Sequence, residues 1–312
     1  MRILILGAGG TGGYFGGRLA RAGADVSFLV RPARAARLRE EGLQLISPLG
    51  DLHLHVPVLT TAELNDVLGQ TRFDLVLLGC KAYDLDSAMD AIAPAVQLGA
   101  DVLPLLNGLR HYDALDARFG HAHVLGGLCF ISATLGPHGE IRHLGRPASI
   151  TFGERAGQNP NPRLRELERL CAAAGIDHDY SGDIAQAQWN KFSFLAALAA
   201  GTCLMRASVG QIVATHDGLA VMQALHEECL AVAAASGQPV PDKVRNVART
   251  GLTLPGSEVK SSMLRDLEAG QRVEAAHIVG DMLARARAAG QAAPFLQAAY
   301  CHLQAYEAQH AG

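Results

Sequence analysis

Long apolar runs, excess charge, aromatic side chains and paired cysteines are all scarce in this 312-residue chain. No stretch reaches the roughly 18 to 20 unbroken apolar residues that a membrane span needs, and Phe192 to Leu204 is a shorter run that reads as a buried helix. A formal net charge of −3 offers no field for wrapping a nucleic acid. Arginines gather only between Arg31 and Arg39. The six cysteines are scattered and form no CxxC pair, so neither a zinc site nor a disulfide framework is expected, and they read as reduced, core-filling residues. The chain opens MRILILGAGG, without the basic region and cleavage site of a signal peptide, so a cytoplasmic location is expected. Internal repeats and low-complexity linkers are absent too.

What is present is a composition dense in small and apolar residues, 49% hydrophobic with 34 glycines, at a length that suits two domains. Ile3 to Leu6 is a continuous apolar run, the mark of a parallel strand covered on both faces. A glycine-rich turn begins at Gly7, helical spacing runs from Gly12 to Ala22, and Val26 to Val30 is a second strand. Further strands are expected at Leu43–Ile46, Leu52–Val58, Leu75–Leu78, Asp101–Leu106 and Val124–Ile131, all extending one parallel sheet. Ile141–His143 and Ser149–Phe152 read as a terminal hairpin around Gly145 and Pro147. After about Asp183 only helical patterns remain, including Ile184–Leu204, Ser261–Ala269 and Glu274–Ala289. The expected fold is α/β, a Rossmann-type doubly wound sheet over residues 1–182 followed by an all-helical domain over 183–312.

Gly7, Gly9 and Gly12 form a GxGxxG pattern placed directly after a strand and at the start of a helix. In that context the first glycine permits the tight turn, the second lets backbone approach a pyrophosphate, and the third lets helix and strand pack closely. The phosphate charge then meets the helix N-terminus. An NAD site of this kind carries Asp or Glu at the end of the second strand, but here that end reads Phe28-Leu29-Val30-Arg31. Arg31, with Arg34 behind it, is placed to pair with a 2′-phosphate, so NADP(H) is the expected cofactor. Arginines that merely solvate a loop are the competing reading.

Lys81 and Asn107 follow predicted strands at the C-terminal side of the sheet, where ligands of open α/β sheets bind. A proton donor is needed wherever a carbonyl accepts hydride. Lys191, in Trp189-Asn190-Lys191-Phe192 on an apolar helix, is one candidate, since partial burial lowers an amine's pKa; a surface lysine is the other reading. Glu274 is read as opening a helix, where it could orient Lys191 or bind a substrate hydroxyl. Ser262 could donate to a carboxylate or cap a helix with Ser261. His53 and His55 share a strand face without a third ligand, so no metal is expected.

These residues resemble the ketopantoate reductase family (2-dehydropantoate 2-reductases) over essentially the whole chain. GAGGTGGYFGGRLARAG with Arg31 resembles the family's N-terminal fingerprint, Lys81-Ala82 and Asn107-Gly108 its cleft positions, and Trp189-Asn190-Lys191 its lysine helix. Ser261-Ser262-Met263-Leu264-Arg265-Asp266 and Glu274 resemble its C-terminal signature. The resemblance implies NADPH-dependent reduction of 2-dehydropantoate to (R)-pantoate, a step of pantothenate and hence coenzyme A biosynthesis. It implies that Lys191 is the catalytic acid with Glu274 beside it, that Ser262 and Asn107 bind substrate, and that Gly7, Gly9, Gly10, Thr11, Gly12, Arg31, Lys81 and Asn107 bind NADP(H).

Three positions depart from the family pattern: Leu195 and Val259 stand where the family carries Asn, and Val273 where it carries Thr. A pocket poorer in hydrogen bonds suits a more apolar 2-oxo acid, so two substrates stay open. A non-catalytic NADPH-responsive protein is the alternative of another class. An Ala-rich helical domain can present an apolar face to a second copy, which leaves a homodimer as an open expectation.

Overall fold

A computed structural model describes residues 1–310. It divides into two compact units, Met1–Leu106 with His111–Ile184, and Asn107–Arg110 with the chain from Ala185 onward. In the first unit the order is β1 (Arg2–Leu6), α1 (Gly10–Arg21), β2 (Asp25–Leu29), α2 (Pro32–Glu41), β3 (Leu43–Ile46), β4 (Leu52–Leu54), β5 (Val58–Leu59), α3 (Thr61–Leu68), β6 (Leu75–Leu78), α4 (Leu85–Gln97) and β7 (Asp101–Pro104). It continues with α5 (His111–Phe119), β8 (Gly126–Leu135), β9 (Ile141–Gly153), α6 (Pro162–Ala173) and β10 (Asp177–Tyr180).

Five strands form a parallel sheet in the order β5-β2-β1-β6-β7. From β1 the chain winds outward through β2 to β5, then crosses back to β6 and β7, so the winding reverses between β1 and β6. Such a switch point leaves a crevice at the strands' carboxyl ends. The sequence explains these strands: Ile3, Leu4 and Ile5 are fully buried, as are all residues of the run Leu75–Leu78, because helices cover both faces.

The expectation of one sheet is corrected. β3 and β4 leave the parallel sheet and join β8, β9 and β10 in a second, mixed sheet. β3 alternates buried and exposed residues, Leu43 and Leu45 inward and Gln44 and Ile46 outward, which is the pattern of a sheet covered on one face only. The expected terminal hairpin is corrected as well. Ile141–Gly153 is one strand, antiparallel to β8, with Ala148 opposite Ile131 and His143 opposite Ala133. The residues between His143 and Ala148 form an irregularity within the strand, and the chain reverses before it, through Gly136–Gly139.

The second unit is helical: α7 (Ile184–Met205), α8 (Val209–Val213), α9 (Gly218–Ala235), α10 (Asp242–Thr253), α11 (Ser262–Glu268), α12 (Val279–Ala288) and α13 (Pro294–Gln309). α7 is mostly buried from Trp189 to Cys203; its Phe192, Ala196, Ala199 and Cys203 share one apolar core with Met222, Leu225, Leu264 and Met282. Among the described residues no helix is long and apolar enough to cross a membrane. Glu274 does not open a helix, since α12 begins at Val279 and Glu274 lies in the coil and turn before it.

Candidate active site

The glycine loop is built around backbone demands. Gly7 has φ of 87°, a conformation costly for any side chain, and its N–H donates to the Leu29 carbonyl at 2.9 Å, tying the loop to the end of β2. Gly9 caps α1 in an extended conformation, and a Cβ added there meets nothing within 4 Å. The helix starts two residues earlier than its pattern, at Gly10, so the N–H groups of Gly10, Thr11 and Gly12 form its open first turn. Gly13 N–H is the first to close, on the Gly9 carbonyl at 2.8 Å. No acidic residue occupies that turn, so the positive end of the helix is not neutralised from within. A Cβ at Gly12 would stand 2.4 Å from the Gly7 carbonyl oxygen, and one at Gly16 would stand 2.7 Å from the Phe28 ring. The helix therefore lies flush on the strands, with a bare backbone cradle at its tip that fits a pyrophosphate.

Arg31 caps α2 at the end of β2 in an extended conformation. Its side chain is 77% exposed and pairs with Asp84 at 3.1 Å. Arg34, one turn on, is half-buried, and its Nη2 donates to the carbonyl of Ala8 in the glycine loop at 3.2 Å. Lys81 is a half-buried, extended residue just after β6. Gly79, two residues earlier, passes so near α1 that a Cβ there would stand 3.2 Å from the Gly12 nitrogen.

In the second unit, Lys191 and Asn107 meet. Lys191, on α7, is buried, and its Nζ donates to Asn107 Oδ1 at 2.8 Å. Asn107 and Gly108 make a turn in which Gly108 takes φ of 78°. A Cβ on Gly108 would stand 2.9 Å from the carbonyl oxygen of His277 and 3.2 Å from its ring, so this turn is seated directly on His277. His277 is a neighbour that the sequence reading missed. Its ring is buried, and burial, outweighing the pull of Glu274, Asp281 and the Asn107 backbone, holds its pKa below the usual imidazole value. The visible signal was the Asn-Gly dipeptide, which announces a tight turn without saying what it rests on.

Glu274 is buried, and its backbone carbonyl accepts from the His277 N–H at 3.2 Å. Ser262 is the first residue of α11 and half-buried, while Ser261 does the capping and accepts from the Leu264 N–H at 3.0 Å. No hydrogen bond among the described residues joins Ser262 to Lys191 or Asn107. Leu195 follows Lys191 by one turn of α7 and is half-buried; Val273 is buried beside Glu274, whereas Val259 is 47% exposed.

A parallel sheet with a glycine cradle at its switch point, followed by a helical domain holding a buried ammonium on an amide, defines a two-domain, nicotinamide-dependent oxidoreductase. Residues 3–157 match the family described as Ketopantoate reductase PanE/ApbA, and residues 183–307 match its C-terminal counterpart, Ketopantoate reductase PanE/ApbA C terminal. The chain belongs to the ketopantoate reductase family. It is 37% identical to the uncharacterized oxidoreductase YkpB of Bacillus subtilis (strain 168) over 309 residues, covering 99% of this chain and 100% of that protein. Among solved structures, the 2-dehydropantoate 2-reductase of Geobacter metallireducens GS-15 is 31% identical, with a TM-score of 0.87, covering 98% of this chain and 99% of the other. The PanE/ApbA family ketopantoate reductase of Ralstonia eutropha JMP134 is 29% identical, with a TM-score of 0.87 and full coverage of both chains. The doubly wound sheet with a helical second domain is thus the family's fold, and the chain is an oxidoreductase.

Proposed function

We propose that the protein reduces a 2-oxo acid with NADPH, with 2-dehydropantoate as substrate and (R)-pantoate as product. The observation that carries this reading is the buried Lys191 ammonium held 2.8 Å from the Asn107 side-chain oxygen. Bound NADPH supplies the hydride that the keto carbon accepts. As that carbon becomes tetrahedral, charge collects on its oxygen, and Lys191 Nζ delivers a proton there. Asn107 Oδ1 accepts one of the three ammonium N–H bonds, which fixes the direction of the others. His277, seated under Gly108, keeps the Asn107 turn in place. Glu274 and Ser262 bind the polar groups of the substrate, and the N–H groups of Gly10, Thr11 and Gly12 hold the pyrophosphate, with Gly7 and Gly9 shaping the loop. Arg31 and Lys81 serve the cofactor's phosphates and ribose. Residues 1–182 would act as the NADP(H) domain and 183–312 as the helical substrate domain.

A second substrate reading rests on Leu195, which lies one turn from Lys191 on the same helix, and on the buried Val273 beside Glu274. Both present hydrocarbon where a hydroxylated acid wants hydrogen-bond partners, which favours an apolar branched or aromatic 2-oxo acid. Steady-state NADPH oxidation, measured with 2-dehydropantoate beside apolar 2-oxo acids, decides between them by kcat/KM. Tight NADPH binding with turnover of none of these acids would end the enzymatic reading of this site.

A further inference from the structure

We propose that Arg34, rather than Arg31, is the principal anchor of the cofactor's 2′-phosphate, an inference that rests on the NADP(H) reading above. The arginine cluster after β2 is not uniform. Arg31 pairs with Asp84 at 3.1 Å, Arg37 with Glu41 at 2.9 Å and Arg39 with Glu63 at 2.7 Å. Arg34 alone among these four has no carboxylate within 4 Å among the described residues. A phosphate brought to Arg31 must share it with Asp84, whose charge repels the incoming anion, and it meets a largely solvated side chain that loses much of its attraction to water and salt.

Arg34 offers the opposite environment. Its guanidinium lies against the glycine loop, with Nη2 on the Ala8 carbonyl at 3.2 Å, between the glycine that makes the turn and the one that caps α1. Its Nε is buried and has no hydrogen-bond partner. The backbone of Gly139, in the turn between β8 and β9, leaves room for it: a Cβ there would stand 2.6 Å from Arg34 Nη1 and 3.0 Å from Arg37 Nη1. A planar guanidinium with an unused, buried donor beside the loop that seats the pyrophosphate is suited to a bidentate hold on a second phosphate of the same ligand. Burial and the neighbouring Arg37 also pull the Arg34 pKa below the ordinary guanidinium value. A dianion relieves both burdens.

The test is calorimetric binding of NADP+, NAD+, 2′-AMP and 5′-AMP to the full-length protein and to Arg34→Met, Arg34→Lys and Arg31→Met. Two charge-assisted hydrogen bonds lost correspond to about 10- to 100-fold weaker binding of NADP+ and 2′-AMP by Arg34→Met. NAD+ and 5′-AMP are expected to bind as before, Arg34→Lys to recover part of the loss, and Arg31→Met to lose less than Arg34→Met. Equal losses for NADP+ and NAD+ in Arg34→Met would make Arg34 a prop of the glycine loop and overturn the assignment. A larger loss in Arg31→Met would overturn it while leaving the NADP(H) reading intact. If the unaltered protein binds NAD+ as tightly as NADP+, the NADP(H) reading falls, and the role of Arg34 falls with it.

Discussion

Gly9, the N-cap of α1, and Gly12, three residues on in its first turn, should respond to alanine in opposite ways. Gly9 has φ of −86° and ψ of −165°, which alanine adopts freely, and its added Cβ meets nothing within 4 Å. Gly9→Ala is therefore expected to leave the melting temperature of the cofactor-free protein nearly unchanged. Only the small difference between Gly and Ala as helix caps, about 1 kcal/mol at most, acts on it. That Cβ instead fills the space where the pyrophosphate must approach the backbone. Loss of one or two charge-assisted contacts weakens binding about 100-fold. At a cofactor concentration of about 100 Kd, ligand stabilises the unaltered protein by about 2.7 kcal/mol and the variant by about 0.4 kcal/mol, so several degrees of ligand-induced shift vanish. Gly12→Ala is the reverse case, because its Cβ would stand 2.4 Å from the Gly7 carbonyl oxygen and 3.2 Å from Ile5 Cγ2. Helix and loop must part by about 1 Å, an overpacking strain of about 1 to 3 kcal/mol felt without any ligand. Thermal unfolding with and without NADP+ separates the two. Wild-type cofactor affinity in Gly9→Ala would refute the loop as the pyrophosphate cradle.

Removing the ammonium with Lys191→Met should lower kcat by about 10²- to 10⁴-fold while NADPH still binds, as read by steady-state kinetics beside cofactor fluorescence titration; unchanged turnover would dismiss Lys191 as the acid. Leu195→Asn should move the ratio of kcat/KM toward 2-dehydropantoate and away from apolar 2-oxo acids by about 10-fold or more, and no movement would place Leu195 outside the substrate pocket. His226 is buried on α9 with no partner for Nε2, and burial together with Arg245 and Arg249 lowers its pKa to about 4. Above pH ~6.5 both folded and unfolded forms are neutral there, whereas below it the unfolded chain takes up a proton that the folded one refuses. Stability should then fall between pH ~6.5 and the folded pKa by up to about 3 kcal/mol from this residue, and His226→Phe should flatten that limb in urea melts run across pH.

How much of this was legible in the sequence depended on whether the requirement lay in the backbone or between distant side chains. Strands β1 and β6 announce themselves because a strand covered on both faces must be apolar at every position, and Ile3–Ile5 and Leu75–Leu78 are. β3 carries equally clear information, since Leu43 and Leu45 are buried while Gln44 and Ile46 are not. Reading it as one more parallel strand discards that alternation and merges two sheets. β9 misleads because Gly145 and Pro147 carry turn chemistry, although here they form an irregularity in a continuous strand whose neighbours on both sides pair with β8.

The glycine loop was legible for the same reason as β1: positive φ at Gly7 and the closeness of Gly12 to Gly7 restrict the residue type itself. Asn107 and Lys191 stand 84 positions apart, and nothing local in either segment requires the other. The strand before Asn107 and the apolar helix around Lys191 each made the residue conspicuous, but only the fold joins them. His277 was not conspicuous at all, because a buried imidazole beneath a turn leaves no periodicity and no motif. Glycine at 108 is the trace of the packing there, since a Cβ would stand 2.9 Å from the His277 carbonyl oxygen and 3.2 Å from its ring. A turn residue can therefore be retained for what lies beneath it as much as for its own dihedral angles. On this argument Gly108→Ala should disturb the Asn107 turn from two directions at once, through φ of 78° and through the collision with His277. His277→Ala removes only the ring contact at 3.2 Å and leaves the backbone carbonyl at 2.9 Å and the dihedral constraint in place. If the ring contact adds to the strain, Gly108→Ala should lose somewhat less activity and stability in the His277→Ala background than in the unaltered protein, most of the loss remaining with the carbonyl contact and the positive φ, and a double-mutant cycle measures that share directly.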